Sequence, residues 1–506
     1  MKELIKNNQL RYVFNFLLIC MVLMSVSSCK KFLEEKPQSN SSDANYWLTE
    51  AQGNSAIAGG YSLLRKALND GLFHYAHGDL PTDEFSSERA IGGEDWQFVQ
   101  NMEWYTAVPS ASTYRPLMKL RRFDNFYSAI NWANRCIAGI PTIPVSGYKS
   151  DAEAKKRQFL GEAYFIRAFS YFYMGRVFGG VPIINDQSSS EEVDLNSYRR
   201  STEAEVFAKA TSDAKIAQSY LTWDYSTSAD RAVRANKGAV LALLAHIYAW
   251  QGNYAACETV ADSVVNSGTY GYVDRANYLA VFKGQSTEGI FEIAQNSANE
   301  ATGLGGIGTF LLKSPYLTTN TGTTVWPLDT VTVKQNLFTD QDDLRRKNGF
   351  GLFNTADPVC IKYSNITYTS SISPLTMNNI IVFRLSDIAL LEAEAQAAQG
   401  KNPQARILLN NIRTLAGLGV STASDSDLFS AIIEERGREL FMEGHRFYDL
   451  VRLARVKGIY KFGNSSSNKI NATEFQAGKY FWPIDPVLVQ ANALFTQTPF
   501  WAARML

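Results

Sequence analysis

His74 and His77 stand three residues apart, and the carboxylates Asp79, Asp83, Glu84, Glu94 and Asp95 follow close behind. An HxxH pair offers two imidazoles to a metal, but no further ligand stands at a recognised metal-site spacing, so a metal is not expected there. A glycosidase needs two carboxyl groups at a fixed separation, one with a raised pKa. Carboxylates also accept hydrogen bonds from sugar hydroxyls or bind Ca²⁺. The expectation for this stretch is a solvated loop, with ligand or ion contact as the alternative and catalysis set aside. Gly303, Gly305 and Gly308 match GxGxxG literally. A dinucleotide site needs a strand before that motif and a helix after it, and here Pro315 follows shortly, so a loop is expected. HExxH, GxSxG and P-loop motifs are absent. The chain is not expected to be an enzyme. Glu434, Glu435, Arg438, Glu439, Arg446, Asp449 and Arg452 crowd one C-terminal block. They are expected to pair and tie that block to neighbouring helices. His246 is expected to be a satisfied core residue.

Composition narrows the class. Lys plus Arg and Asp plus Glu are both 49, and a neutral surface argues against nucleic acid. Lys2, Lys6 and Arg11 precede an apolar run from Tyr12 to Met24, and Val26, Ser27 and Ser28 stand directly before Cys29. That arrangement resembles a bacterial lipobox, so residues 1–28 are expected to be a lipoprotein signal peptide and Cys29 the lipidated N-terminus. Residues 29–45 are polar and contain Pro37, as in a tether. No later apolar run is long enough to span a bilayer. Cys136, Cys257 and Cys360 are too widely spaced for a disulfide scaffold. Buried thiols are expected, with at most one bridge.

These residues need elements to hold them. The spacing predicts a helix over 50–69 and an irregular, aromatic-rich loop over 70–118. Phe165, Phe169 and Phe172 fall on one face of a helix stopped by Gly179 and Gly180. A register then repeats. Ala168, Tyr171 and Gly175 are matched by Ala245, Tyr248 and Gly252, and by Ala393, Gln396 and Gly400. Cys257 and Ala405 take the next small position in the last two units. This is half of a tetratricopeptide pattern, with small residues where helices touch and Gly at the turn. The fold class is therefore mostly α: a tetratricopeptide-like helical repeat body with large loop-rich insertions and a few short strands. The regions expected are 46–270, a loop-rich insertion at 271–383, and 384–506.

Five blocks in order, CKKFLEEKP, GEAYFIRAFSYFYMGRVFGGVPII, NKGAVLALLAHIYAWQGNYAACETVADSVVNSGTYGY, FRLSDIALLEAEAQAAQG with IIEERGRELFMEGHRFYDLVRL, and YFWPIDPVLVQANALFTQTPF, resemble the SusD/RagB family of outer-membrane nutrient-binding lipoproteins of Bacteroidetes. Ile484-Asp485-Pro486 and Thr498-Pro499 depart from the family's tail. The resemblance implies a cell-surface protein that captures an oligosaccharide and delivers it to a SusC-like TonB-dependent transporter. Peptide cargo, or less readily a surface glycoside hydrolase, is the alternative. No cofactor is implied, and nothing indicates Ca²⁺. The implied ligand platform suggests Asp79, Arg89, Trp96 and Trp104 from the first loop, and Tyr316 and Trp326 from the insertion. Replacing Trp96 by Ala is expected to abolish binding without unfolding.

Overall fold

Thr49 opens the ordered helices: its hydroxyl accepts the Gln52 N–H and starts helix α1 (Glu50–Asn69). The computed structural model describes residues 46–86, 94–108, 115–185, 195, 198–297, 299–463 and 468–504. The expected signal, tether and lipidation site at Cys29 lie outside the described residues, as does Arg89. The chain divides into two units, Met1–Leu48 and Thr49–Leu506. In the first, the rings of Tyr46 and Trp47 meet edge to face at 5.0 Å. Among the described residues, all strands and long helices belong to the second. No helix among them is long and apolar enough to cross a membrane.

Helix α2 (Asp124–Gly139) packs on α1, and both pack on α3 (Ala152–Phe178). From Phe165 to Phe178 every residue of α3 is buried, so its phenylalanines serve more than the single face expected of them. Phe165 and Phe169 both meet Phe291 edge-on, at 4.8 and 5.6 Å. Helix α4 (Glu203–Tyr220) opens with a reciprocal capping box of Thr202 and Glu205. Next come α5 (Lys237–Trp250), α6 (Tyr254–Val265), α7 (Leu385–Ala398), α8 (Asn402–Leu415), α9 (Leu428–Glu439) and α10 (Arg446–Lys457). Each packs on its predecessor from α3 onward, except that α9 reaches back across α8 to α7 as well. This is the stacked array that the repeat register implied.

The register holds with one difference. Gly252 and Gly400 sit at the α5–α6 and α7–α8 turns with φ of +73° and +75°, a conformation that favours glycine. Gly175 instead lies inside α3, where a Cβ would come within 3.1 Å of Val206 on α4. It permits close helix approach, and Gly179 (φ +74°) terminates the helix. Cys257 and Ala405 are fully buried. All three described cysteines are free and buried.

The insertion carries strands β1 (Gly289–Ile293), β2 (Phe350–Gly351), β3 (Val359–Cys360), β4 (Ile366–Ser370), β5 (Ser373–Thr376) and β6 (Ile380–Arg384). They pair antiparallel as β1–β6, β2–β3 and β4–β5. Its first and last strands thus close on each other, with both fully buried. Charged side chains then lock the insertion to the end of α9 and the turn after it, and tie α7 to α9 and α10. Glu439 receives Arg275, Arg345 and Arg384. Glu443 receives Lys362 and Arg384, each at 2.7 Å. Arg436 reaches Asp387 and Asp449, and Arg452 reaches Glu394 and Asp449. All of these groups are buried. Such pairs hold geometry strongly because removing one partner strands the other away from water.

Candidate functional site

Trp96 stands on a short helix, Glu94–Gln100, and faces the insertion. Its ring meets Trp326 at 5.0 Å and Phe310 at 5.4 Å, both edge to face. Phe310 and Trp326 meet at 5.2 Å, and Phe85 closes the nest behind Trp326 at 5.9 Å. The backbone fixes this geometry. Trp326 N–H donates to the Phe310 carbonyl, Ser86 N–H to Pro327, and Asp329 N–H to Glu84. Trp326 is fully buried and its indole N–H has no hydrogen-bond partner. Phe310, half-buried, and Trp96, only 6% exposed, lie at the base of an open hollow of about 670 Å³.

Loop 317–325 and the β4–β5 hairpin make the walls. Tyr368 on β4 binds them together, its phenol oxygen accepting both the N–H and the hydroxyl of Thr318 at 3.0 Å. Ile372 at the hairpin tip is 75% exposed and Leu304 opposite is 69% exposed. Thr319, Thr323 and Ser371 present exposed hydroxyls. Apolar ring faces beside scattered hydroxyls suit a ligand with both apolar and hydroxylated faces. A second hollow, of about 400 Å³ beside α1 and α2, is lined by Asp70–Lys119 and Arg122–Asp124 pairs already closed at 2.7 Å.

Trp96 thus lines the hollow and Trp326 supports it from beneath. Tyr316 is half-buried and packs elsewhere: its ring covers Gly351, where any Cβ would strike it at 2.2 Å. Its neighbours Leu317 and Thr318 line the hollow instead. Trp104 is fully buried, stacked on Trp482 at 4.1 Å with its indole N–H donated to Val99. It offers no surface to a ligand.

Asp79 is also core, as are most carboxylates of its segment. One oxygen accepts the Gly444 N–H at 2.7 Å and the other has no partner. Burial raises its pKa to about 8, against the lowering effect of that hydrogen bond. Both oxygens of Glu84 are unpartnered; burial, then the nearby Asp79, push it well above the usual range. Asp83 holds Arg446 through two hydrogen bonds, and Asp95 receives Arg115 and the Leu117 N–H. The expected solvated loop is therefore a buried anchor: Asp83 finds its counter-charge far along the chain in Arg446, and Asp95 finds its own nearby in Arg115.

The histidines are structural too. His74 bonds Tyr173 and the Glu443 carbonyl, and His77 lies against the carbonyls of Phe73 and Leu120. Burial lowers both to about 3. The ligand atoms of His246, Asp387 and His445 lie within 4.8 Å of one another. Asp387, however, already accepts from His246 and from Arg436, and that guanidinium opposes a further cation.

The array and its loop-built hollow define a helical-repeat binding protein. Comparison with known proteins carries this further. Residues 315–501 match the model of the SusD family, and residues 31–249 match a model described as "Starch-binding associating with outer membrane". The chain belongs to the SusD/RagB family. A SusD-like protein of Formosa agariphila is 28% identical over 484 residues, 86% of this chain and 90% of that one. A SusD homologue of Bacteroides thetaiotaomicron superposes with a TM-score of 0.76 at 27% identity, over 90% of this chain and 99% of that structure. A laminarin-binding SusD-like protein shares the fold, with a TM-score of 0.66 at 21% identity over 89% of this chain and 99% of that one.

Proposed function

We propose that this chain is a cell-surface, lipid-anchored binding protein that captures an oligosaccharide in the Trp96 hollow. It then passes the cargo to a SusC-like TonB-dependent transporter in the outer membrane. The anchor is the Cys29 thiol. The protein performs no chemistry on its cargo. The observation that carries the reading is the aromatic floor of Trp96 and Phe310 beside the exposed hydroxyls of Thr319, Thr323 and Ser371. Sugar rings pack their C–H faces on such floors while hydroxyls exchange hydrogen bonds with the walls. Family membership and the starch-binding description of one matching family model support a glycan cargo.

Affinity electrophoresis and calorimetry of the protein without its signal and lipid, against polysaccharides and peptide mixtures, test it. Retention by a glycan without depolymerisation is expected. Retention by peptides alone would replace the glycan reading. Ile372→Asp changes an exposed side chain and should weaken binding about tenfold or more with no change in Tm. Trp96→Ala should abolish binding but also destabilise the fold by about 3 kcal/mol, because the ring is packed in the nest. Unchanged affinity in both variants would place the cargo elsewhere.

A further inference from the structure

Helices α6 and α7 pack side by side and run in opposite directions. Gln399, at the end of α7, donates to the Tyr254 carbonyl and the Glu258 carboxylate at the start of α6. Val265, at the end of α6, packs against the cluster that holds Ala389, Leu390 and Ala393. One turn back from Gln399 stands Gln396, and one more turn back stands Glu392. Successive turns forward from Tyr254 reach Glu258 and Asp262. Two i,i+4 pairs of oxygen-bearing side chains, Glu258–Asp262 and Glu392–Gln396, therefore meet along one seam.

Glu392 is 3% exposed and Gln396 7%. The Gln396 amide N–H donates to Glu392 Oε1 at 2.9 Å. Among the described residues, the remaining oxygens, Gln396 Oε1 and Glu392 Oε2, are buried with no hydrogen-bond partner. Burial, then Asp262, then Glu258 raise the Glu392 carboxyl to about 8. Glu258 is already answered by Lys401, at 2.5 Å from its Oε2, so two negative charges remain, on Glu392 and Asp262. We infer that this seam is a site for a hard divalent cation, Ca²⁺ before Mg²⁺, held by Glu392 Oε2, Gln396 Oε1 and the Asp262 carboxylate. All three are oxygen donors, the set that hard cations take. Ca²⁺ accepts six to eight oxygens in flexible geometry and completes its shell with water, which the exposed Asp262 admits. The His246–Asp387–His445 cluster differs, since Arg436 already supplies its positive charge. Helix α6 ends before the insertion and α7 begins after it, so the ion clamps the two flanks of the insertion together.

The test is calorimetry of the protein without its signal and lipid, treated with EDTA, dialysed, and titrated with CaCl₂ and with MgCl₂. Expected is a Ca²⁺ site with a Kd below about 1 mM, weaker binding of Mg²⁺, and a thermal midpoint that rises with calcium concentration. Asp262→Asn alters an exposed side chain, so it should leave the fold intact and weaken Ca²⁺ binding about tenfold or more. Glu392→Gln keeps the shape of the buried side chain and should weaken binding at least as much. Absence of both heat and midpoint shift up to about 10 mM Ca²⁺ would overturn the inference. Glu392 would then be a neutral buried acid, and Glu392→Gln would be more stable than the wild type at alkaline pH whether or not calcium is present. Calcium binding that persists unchanged in both variants would place the ion elsewhere and overturn the site. None of these outcomes bears on glycan capture, which the polysaccharide panel reads separately.

Discussion

At the scale of single residues, the acidic stretch from Asp79 to Asp95 teaches the most. Spacing alone could not reveal that Asp79 and Glu84 are buried without full hydrogen bonding, because their surroundings include Gly444 and Arg446. The consequence is a pH dependence with a definite sign. Asp79 titrates near 8 when folded, against an ordinary value of 3.8. Between these values the folded state keeps a proton that the unfolded chain has released, so stability falls as pH rises through that window. Below it the contribution is fully present. Asp79→Asn should therefore gain on the wild type by up to about 1.4 kcal/mol per pH unit across the window, measured by urea unfolding at several pH values. A difference that stays constant with pH would refute the buried, raised carboxyl. Trp104 shows the same limit of sequence reading. A tryptophan in an aromatic-rich segment can stack on a ligand or on Trp482, and only the arrival of residue 482 decides.

Elements were far more legible. Glycine and small-residue spacing carried the α5–α6 and α7–α8 hairpins, since a turn between antiparallel helices imposes local rules that survive in the sequence. A few short strands were expected, but not the mutual pairing of 289–293 with 380–384, which spans the whole insertion. The hollow was half-legible. Trp96 and Trp326 stood out as residues, whereas Phe310, Thr318 and Ile372 did not. The threonine-rich run from Thr318 to Thr324 was the available signal. Gly175 tests the helix array directly. Its missing Cβ lets α4 approach α3, with Val206 and Phe207 as the nearest neighbours. Gly175→Val should cost about 1–3 kcal/mol through overpacking, read as a fall in thermal midpoint. A neutral outcome would mean that α4 shifts freely against α3.

For the molecule as a whole, the insertion is not a detachable module. Arg275, Arg345, Lys362 and Arg384 all come from it or its border, and all end on Glu439 or Glu443. Glu439→Leu should destabilise by about 3–5 kcal/mol, because three guanidinium groups would share fewer counter-charges in a dry interior. Loss of soluble expression would report the same effect. Thermal unfolding of the wild type should follow one transition in both near-ultraviolet circular dichroism and tryptophan fluorescence. Two separated transitions would contradict a single cooperative unit. A different consequence follows from the bonds that Asp79 and Asp83 make to Gly444 and Arg446, and that His74 makes to Glu443, across more than 360 residues of chain. During synthesis the segment from His74 to Glu84 has no settled place until nearly nine-tenths of the chain has left the ribosome. That segment must therefore settle late, after the turn between α9 and α10 that receives it has formed.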